Sequence, residues 1–481
     1  MEIDAQADAS LDLESLFSGA TGAARLEHLL FVADKFKGQE LELEALRLAA
    51  DQLAAASNVK LHREVLERIG GRLGPAYVLD RPQLEAKERA LAAQSSVLDA
   101  DLAAARATQS KDAVRAAHRA LADCWASQGA VNEAMKGYMR MREFCTQPDH
   151  VLTMCISIIK CAVAMRQWVH VAAYRKRGES VVASSTDTMA KSQLAAAGGL
   201  YSLSQAKFEE AARSYVEVSP DLGSEFSDVI SAQDIATHGA MCALASLDRP
   251  ALQSLVIDSP GFREHLESVP EIRDAVNSFH ASRFADCLRH LEAARPGMEL
   301  SPHLAPHLPA LFKEIRRRGL ELHARPYATL ALSGMGAALG LIPADLEAEL
   351  EALIVGGRLS ARIDGAAGVL RAHRPDARAG ALGAVLAAGE EFVAASRLLA
   401  LRASVLQHGL VQVLLVAVYV EEWGEGTGTE GGHGLVLRAG SWTLGMYAWR
   451  RTWAASTLGF NVVCAALLAR HSCGAGAGTE G

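Results

Sequence analysis

Apolar residues recur at three- and four-residue intervals along most of the chain, the spacing of one buried stripe on a helix. In ATGAARLEHLLFVADKF (20–36) the stripe is Leu26, Leu29, Leu30 and Val32. In QELELEALRLAADQLAAAS (39–57) it is Leu41, Leu46, Leu48 and Leu53, with charges between them. The GGRLGP stretch (70–75) breaks this pattern, three glycines combining with a proline. Residues 1–100 therefore read as an N-terminal helical region.

The middle of the chain, 101–300, repeats. HRALADCWASQGAVNEAMKGYMRM (118–141) predicts a helix, a tight turn at Gly129 and a second helix. The element that opens the second helix, a bulky residue and a small one three positions later, recurs downstream. It stands at Val131 and Ala134, Trp168 and Val171, Phe208 and Ala211, Pro250 and Gln253, and Phe284 and Cys287, the fourth unit matching least well. The anchors are spaced by 37, 40, 42 and 34 residues, the period of tetratricopeptide-like (TPR-like) helical hairpins. A small residue is expected where two helices cross closely.

A different unit follows over 301–375. One more helix is expected across ALFKEIRRRGLELHAR, then a helix across Thr329–Leu339 and a short turn. Pro343 suits the first position of the next helix, which buries Leu346, Leu350, Leu353 and Ile354 and stops at Gly356 and Gly357. RLSARID alternates as a strand, GAAG can turn, and VLRAH returns as its partner. Helix, turn, helix and hairpin make a winged helix. Residues 380–409 form one long helix with Val385, Phe392, Leu399 and Leu406 every seven residues, a seam that wants a partner helix.

Beyond Leu410 the composition shifts, with thirteen of the forty glycines and four of the six tryptophans in the last 72 residues. WAASTLGFNVVCAALLA (453–469) is at the lower limit for a membrane-spanning helix and is diluted by Ser456, Thr457, Gly459 and Asn461. A disordered tail, a membrane anchor and sequence foreign to the functional protein all compete for 410–481. The last reading is favoured, and the segment is expected to lie outside the fold.

Composition narrows the function. Half the residues are hydrophobic but only 5% aromatic, which favours helices over a β-sandwich. A formal charge of −8 gives no call for nucleic acid or an anionic membrane. The eight cysteines form no CxxC pair and lie mostly in apolar helical stretches, as reduced core thiols do. The acidic start carries no secretory signal. Catalytic constellations are missing: no phosphate-binding loop, no G-x-S-x-G and no His-x-His for a metalloprotease of the JAMM type. His303 and His307 have metal-like spacing, but Pro302, Pro306 and Pro309 rule out the continuous helix such a pair needs. The second helix of the winged unit offers Asp345, Glu347, Glu349 and Glu351 with no lysine or arginine, so protein docking is expected there instead of DNA binding.

Helical repeats running into a winged helix and then a long C-terminal helix resemble the PCI-domain family, shared by the proteasome lid, the COP-nine signalosome and translation initiation factor three. The similarity is to the signalosome members in LDLESLFSGATGAARLEHLLFVAD (11–34), PDHVLTMCISIIKCAVAMRQWVHVAAYRKRGES (148–180) and ISAQDIATHGAMCALASLDRPALQSLVIDSPGFREHLESVPEIRDAV (230–276). It continues through LAPHLPALFKEIRRRGLELHARPY (304–327), LEAELEALIVGGRLSARID (346–364) and GEEFVAASRLLALRASVL (389–406). The fold this implies is all-α: a right-handed superhelix of TPR-like repeats, a PCI winged-helix module and a C-terminal helix.

The resemblance also implies a role. A signalosome member would be a non-catalytic scaffold in a complex that removes Nedd8 from cullins and so regulates cullin–RING ubiquitin ligases, the hydrolysis belonging to a separate metalloprotease subunit. Winged helices of the family meet edge to edge, and C-terminal helices gather in a bundle. Carried over, subunit docking falls to Arg358, Leu359, Ala361, Ile363, Val369 and Arg371, and the bundle to Val385, Phe392, Leu399 and Leu406. The N-terminal repeats would project outward toward a cullin or a ligase adaptor. Other signalosome subunits and cullin–RING ligases are the expected partners. No nucleic acid, membrane or cofactor is expected, and the expected location is nucleus and cytoplasm. The alternatives are a proteasome-lid scaffold and a winged-helix nucleic-acid-binding protein.

Overall fold

The computed structural model describes residues 12–183, 187–373 and 377–408. The expectations for 410–481 lie outside the described residues. The chain divides into two compact units, 1–374 and 375–481.

The first unit opens with α1 (Leu13–Leu16), α2 (Gly22–Lys35), α3 (Glu40–Ala55), α4 (Val59–Ile69) and α5 (Arg81–Ala107). Side-chain oxygens of Asp12, Asn58 and Asp80 cap α1, α4 and α5 by accepting from free N–H groups of the first turn. The predicted stripes are the core here. Leu29, Val32, Leu46, Leu53, Val65 and Ile69 form one cluster with Leu84 and with the distant Leu300. The boundary expected at residue 100 falls inside α5, a single 27-residue helix.

The repeats follow as helix pairs: α6 (Lys111–Ser127) with α7 (Val131–Met141), α8 (Pro148–Ala164) with α9 (Trp168–Val182), and α10 (Thr188–Ser204) with α11 (Phe208–Val216). After α12 (Ala232–Ser246), α13 (Arg249–Leu252) and α14 (Pro260–Glu267) comes the pair α15 (Pro270–His280) and α16 (Phe284–Met298). Four pairs share one turn. The residue two before the second helix is left-handed: Gly129 (φ 77°), Arg166 (54°), Ala206 (56°) and Ser282 (63°). The next N–H then reaches back over the turn, from Ala130 to Trp125 O (2.9 Å), Gln167 to Ala162 O (2.8 Å), Lys207 to Ser202 O (2.9 Å) and Arg283 to Ser278 O (2.8 Å).

The predicted bulky residue is the first residue of the second helix in these four pairs, and the predicted anchor is the fourth. Ala134, Val171 and Ala211 are fully buried and Cys287 is 1% exposed. The anchor expected at Gln253 is wrong: Gln253 is exposed and Leu252 is buried in its place. Pro250 takes the second helical position, so α13 begins one residue earlier at Arg249 and the fourth position becomes Leu252. A π-helical turn over Gln253–Ile257 absorbs the offset.

α17 (Leu308–Ala324) leads into the winged helix: β1 (Thr329–Ala331), α18 (Leu332–Leu339), α19 (Pro343–Val355), β2 (Ala361–Asp364) and β3 (Val369–Ala372). Pro343 opens α19, Leu346, Leu350 and Leu353 are buried, and Gly357 turns the chain with φ 70°. The helix expected from Thr329 starts instead at Leu332. Thr329–Ala331 is a strand, because it lies along β3 and pairs with Arg371, Leu370 and Val369. In the second unit α20 (Ala377–Gln407) is one helix of 31 residues. Twenty α-helices and one three-stranded sheet among the described residues match the all-α expectation.

Candidate docking surfaces

The sheet order is β1–β3–β2, so the hairpin strand β3 is central and paired on both sides. Val369 and Arg371 sit on β3 and so offer no free backbone edge. Val369 is half-buried, while Arg371 is exposed and donates to Asp364 at 3.0 Å. The outer strands are β1 and β2, and the hairpin contributes the β2 edge. His373 N donates to Ser360 O (2.8 Å), which sets the alternation of the antiparallel ladder. Arg362 and Asp364 turn their backbone groups to β3, and Ala361 and Ile363 turn theirs outward. The Ala361 N–H is taken by Leu359 O at 3.1 Å. The edge thus presents the Ala361 carbonyl and both backbone groups of Ile363, ready for an added strand.

The side chains behind this edge face inward. Ala361 is buried, Leu359 and Ile363 pack on the main core, and Ile363, Leu370 and Leu330 lie across from one another on the three strands. Arg358 is exposed and held within the chain. Its guanidinium spans two carboxylates of α17, Glu314 at 2.5 Å and Glu321 at 2.6 Å, and pins the turn after α19. Burial disfavours the charged form, but Glu314 and Glu321 outweigh it and raise the pKa. On α19, Glu349 faces Arg316 of α17 at 3.7 Å, which leaves Asp345, Glu347 and Glu351 as an exposed acidic face.

On α20 the heptad residues stand in solvent: Val385 is 68% exposed, Phe392 72%, Leu399 69% and Leu406 71%. Leu382 (61%), Leu386 (59%) and Val393 (46%) widen the apolar surface. This much exposed apolar area makes the helix a candidate partner site.

The sequence did not disclose where the first helices go. The N-terminal segment is bonded to the repeats. Thr21 N donates to Ser227 O (3.0 Å) and Ala24 N to Asp228 O (3.0 Å), so residues leading into α2 are bonded to the chain before α12. Lys35 pairs with Glu299 at 2.9 Å and Arg166 with Glu27 at 3.0 Å. Beneath these contacts lies a buried polar chain. His28 Nε2 is 3.6 Å from the Asp234 carboxylate, Ser231 Oγ donates to that carboxylate at 2.7 Å, and His238 Nε2 meets Ser301 Oγ at 3.1 Å.

The charges in this chain follow from its partners. Burial opposes protonation of His28, but Asp234 overcomes it and raises the imidazole pKa. Burial would raise the Asp234 carboxyl, yet His28 and Ser231 carry it well below the usual carboxylate range. His238 lacks a carboxylate contact of its own, and burial lowers it to about 4. His303, buried beside Trp168 with its Nε2 3.7 Å from Glu27, is lowered by burial as well. The Pro-broken loop expected around His303 and His307 is present as a short turn over 302–307, and no metal-binding group of His, Cys, Asp and Glu occurs among the described residues. The six described cysteines are free thiols, five of them buried. Among the described residues no helix is long and apolar enough to cross a membrane.

Comparison with known proteins places these features. Residues 80–255 match the family described as 26S proteasome subunit RPN7, and residues 291–374 match the PCI domain. The COP9 signalosome complex subunit 1 of Arabidopsis thaliana is 36% identical over 399 residues, 83% of this chain and 90% of that protein. Subunit 1b of Drosophila melanogaster is 28% identical over 91% of this chain and 92% of its own length. Subunit 1 of Emericella nidulans is 30% identical over 83% and 82%. With the repeats, the winged helix and this likeness over most of its length, the chain belongs to the COP9 signalosome subunit 1 family of PCI-domain proteins.

Proposed function

We propose that the chain is a non-catalytic scaffold subunit of the COP9 signalosome, the complex for which its relatives are named. In that complex it supports removal of Nedd8 from cullins and so regulates cullin–RING ubiquitin ligases, in the nucleus and the cytoplasm. The observation that carries this reading is the pairing of two open assembly elements: the outer edge of β2 at Ala361 and Ile363, and the exposed seam Val385, Phe392, Leu399 and Leu406. Winged-helix neighbours add to the first, and C-terminal helices of other subunits cover the second. The acidic face of α19 supports protein partners over nucleic acid, since a DNA reader needs positive charge there.

The test is affinity purification of the tagged full-length chain from its own cells with mass spectrometry of what co-elutes. Signalosome subunits together with cullins are expected. Proteasome ATPases and lid subunits would move the chain to the lid, and elution alone or with chromatin would overturn the scaffold reading.

A further inference from the structure

Charge is divided sharply along the repeats. Residues 101–183 carry twelve Lys or Arg against seven Asp or Glu, whereas residues 187–300 carry nine against seventeen. Within the basic half the cations collect at one rim. α5 and α7 end, and α6 begins, on the same side of the first hairpin, because consecutive helices reverse direction across tight turns. Arg106, Arg140 and Arg142 therefore meet Lys111 and Arg115 there, and Arg177 joins them from the far end of α9.

Contacts make this rim continuous. Arg106 Nη2 lies 3.4 Å from His118 Nε2, Phe144 stacks on His118 (5.8 Å, 21°), and Cys145 follows Phe144 with Arg115 and Arg177 acting on its thiol. Burial, and then Arg106 and Arg140, lower the His118 pKa. Carboxylates do not balance the rim. Among the described residues Arg106, Lys111, Arg140, Arg142 and Arg177 have no acidic partner within 4 Å. Asp112 lies 3.8 Å from Arg115 without bonding its Nε, which stays a buried donor with no acceptor. Glu143 and Asp149 are exposed.

Helix dipoles account for only part of this. Arg106 and Arg140 sit in last turns, where a cation is favoured. Lys111 and Arg115 sit in the first two turns of α6, where it is disfavoured. We propose that this rim is a docking site for an acidic segment of a partner protein, with Arg106, Arg115, Arg140, Arg142 and Arg177 pairing its carboxylates. A long polyanion such as a nucleic acid fits less well, because the rim is short and the adjoining half of the array is acidic. The site uses neither the β2 edge nor α20, so it stands whether or not the scaffold reading holds.

The test is fluorescence anisotropy of a short labelled peptide rich in Glu and Asp, titrated with the full-length chain at low and high salt. Salt-sensitive binding is expected, with affinity falling about tenfold in R106E/R140E. The control R263E/R289E, made in the acidic half, should bind as the parent does. Should R106E/R140E fold poorly, R142Q/R177Q removes charge without reversing it and should weaken binding in the same sense. Absent binding, equal loss in the control, or tighter binding of a DNA duplex of matched length would overturn the proposal.

Discussion

His28 on α2 lies 3.6 Å from Asp234 on α12, and this pair ties the N-terminal helices to the middle of the repeat array. His28 is 5% exposed at its side chain and Asp234 19%, so neither charge is well served by water if the other is removed. Asp234→Asn should therefore cost about 3 kcal/mol in the docking of α2. Hydrogen exchange of the Gly22–Lys35 amides measures it, and unchanged protection would show that the pair is incidental.

The pH dependence follows from the same groups. His28 is raised above its ordinary 6.5, so its contribution is complete below 6.5 and is lost as pH climbs through the higher folded value. His238 is lowered to about 4, so its contribution is complete above 6.5 and is lost as pH falls from 6.5 toward 4. His303, also lowered, acts in the same direction as His238. Protection of α2 should thus peak near neutrality and fall on both sides. Asp234→Asn should remove the alkaline fall, and a profile that keeps it would contradict the assignment to His28.

Gly129 has φ 77°, and a Cβ there would stand 2.4 Å from Asn58 Nδ2, the side chain that caps α4. Gly129→Ala should destabilise by about 2 kcal/mol, roughly half from the left-handed backbone and half from the displaced cap. Ala206 holds the same turn position at φ 56° without being glycine. Ala206→Gly should accordingly stabilise by about 0.5–1 kcal/mol. Denaturant unfolding checks both signs, and a destabilising Ala206→Gly would refute the shared-turn account.

The contrast between what was legible in the sequence and what was not has one physical basis. Ala134, Val171, Ala211 and Cys287 could be read because each local helix start fixes its own register. Gln253 misled because Pro250 changes which residue begins the helix. The wing was legible as a hairpin from its alternation, but β1 is three residues long and carries no period of its own. Without β1 in the reading, the pairing of Val369 and Arg371 on both sides could not be seen. The His28–Asp234 pair left no signal, since neither residue departs from the pattern of an ordinary helix and only the return of the N-terminal segment brings them together.

Tyr215 is fully buried, its hydroxyl has no partner among the described residues, and its ring fills the space left by Gly199. A Cβ on Gly199 would come within 2.5 Å of the Tyr215 ring, and one on Gly239 within 2.8 Å of Phe262 and 3.0 Å of Tyr215. Gly199→Ala should cost about 1–3 kcal/mol through overpacking. Tyr215→Phe keeps the ring and deletes an unpaired polar group, so it should be neutral or stabilise by about 1 kcal/mol. A loss of stability in Tyr215→Phe would mean that the hydroxyl has a partner.

On α20 the seam residues are exposed, so polar replacements there separate folding from assembly. Four residues at seven-residue spacing drift about 20° per heptad on a straight helix, and a partner helix must supercoil left-handedly to follow them. Phe392→Asp with Leu399→Asp removes the two central knobs. The isolated chain should keep its unfolding midpoint to within about 0.5 kcal/mol, because neither side chain is in a core. Recovery of co-purifying subunits should fall about tenfold or more, since central apolar contacts dominate such interfaces. Glu390→Gln, an exposed change off the seam, should leave recovery unchanged. Equal recovery in the parent and the double variant would place assembly elsewhere on the chain, with the β2 edge at Ile363 next to be tested.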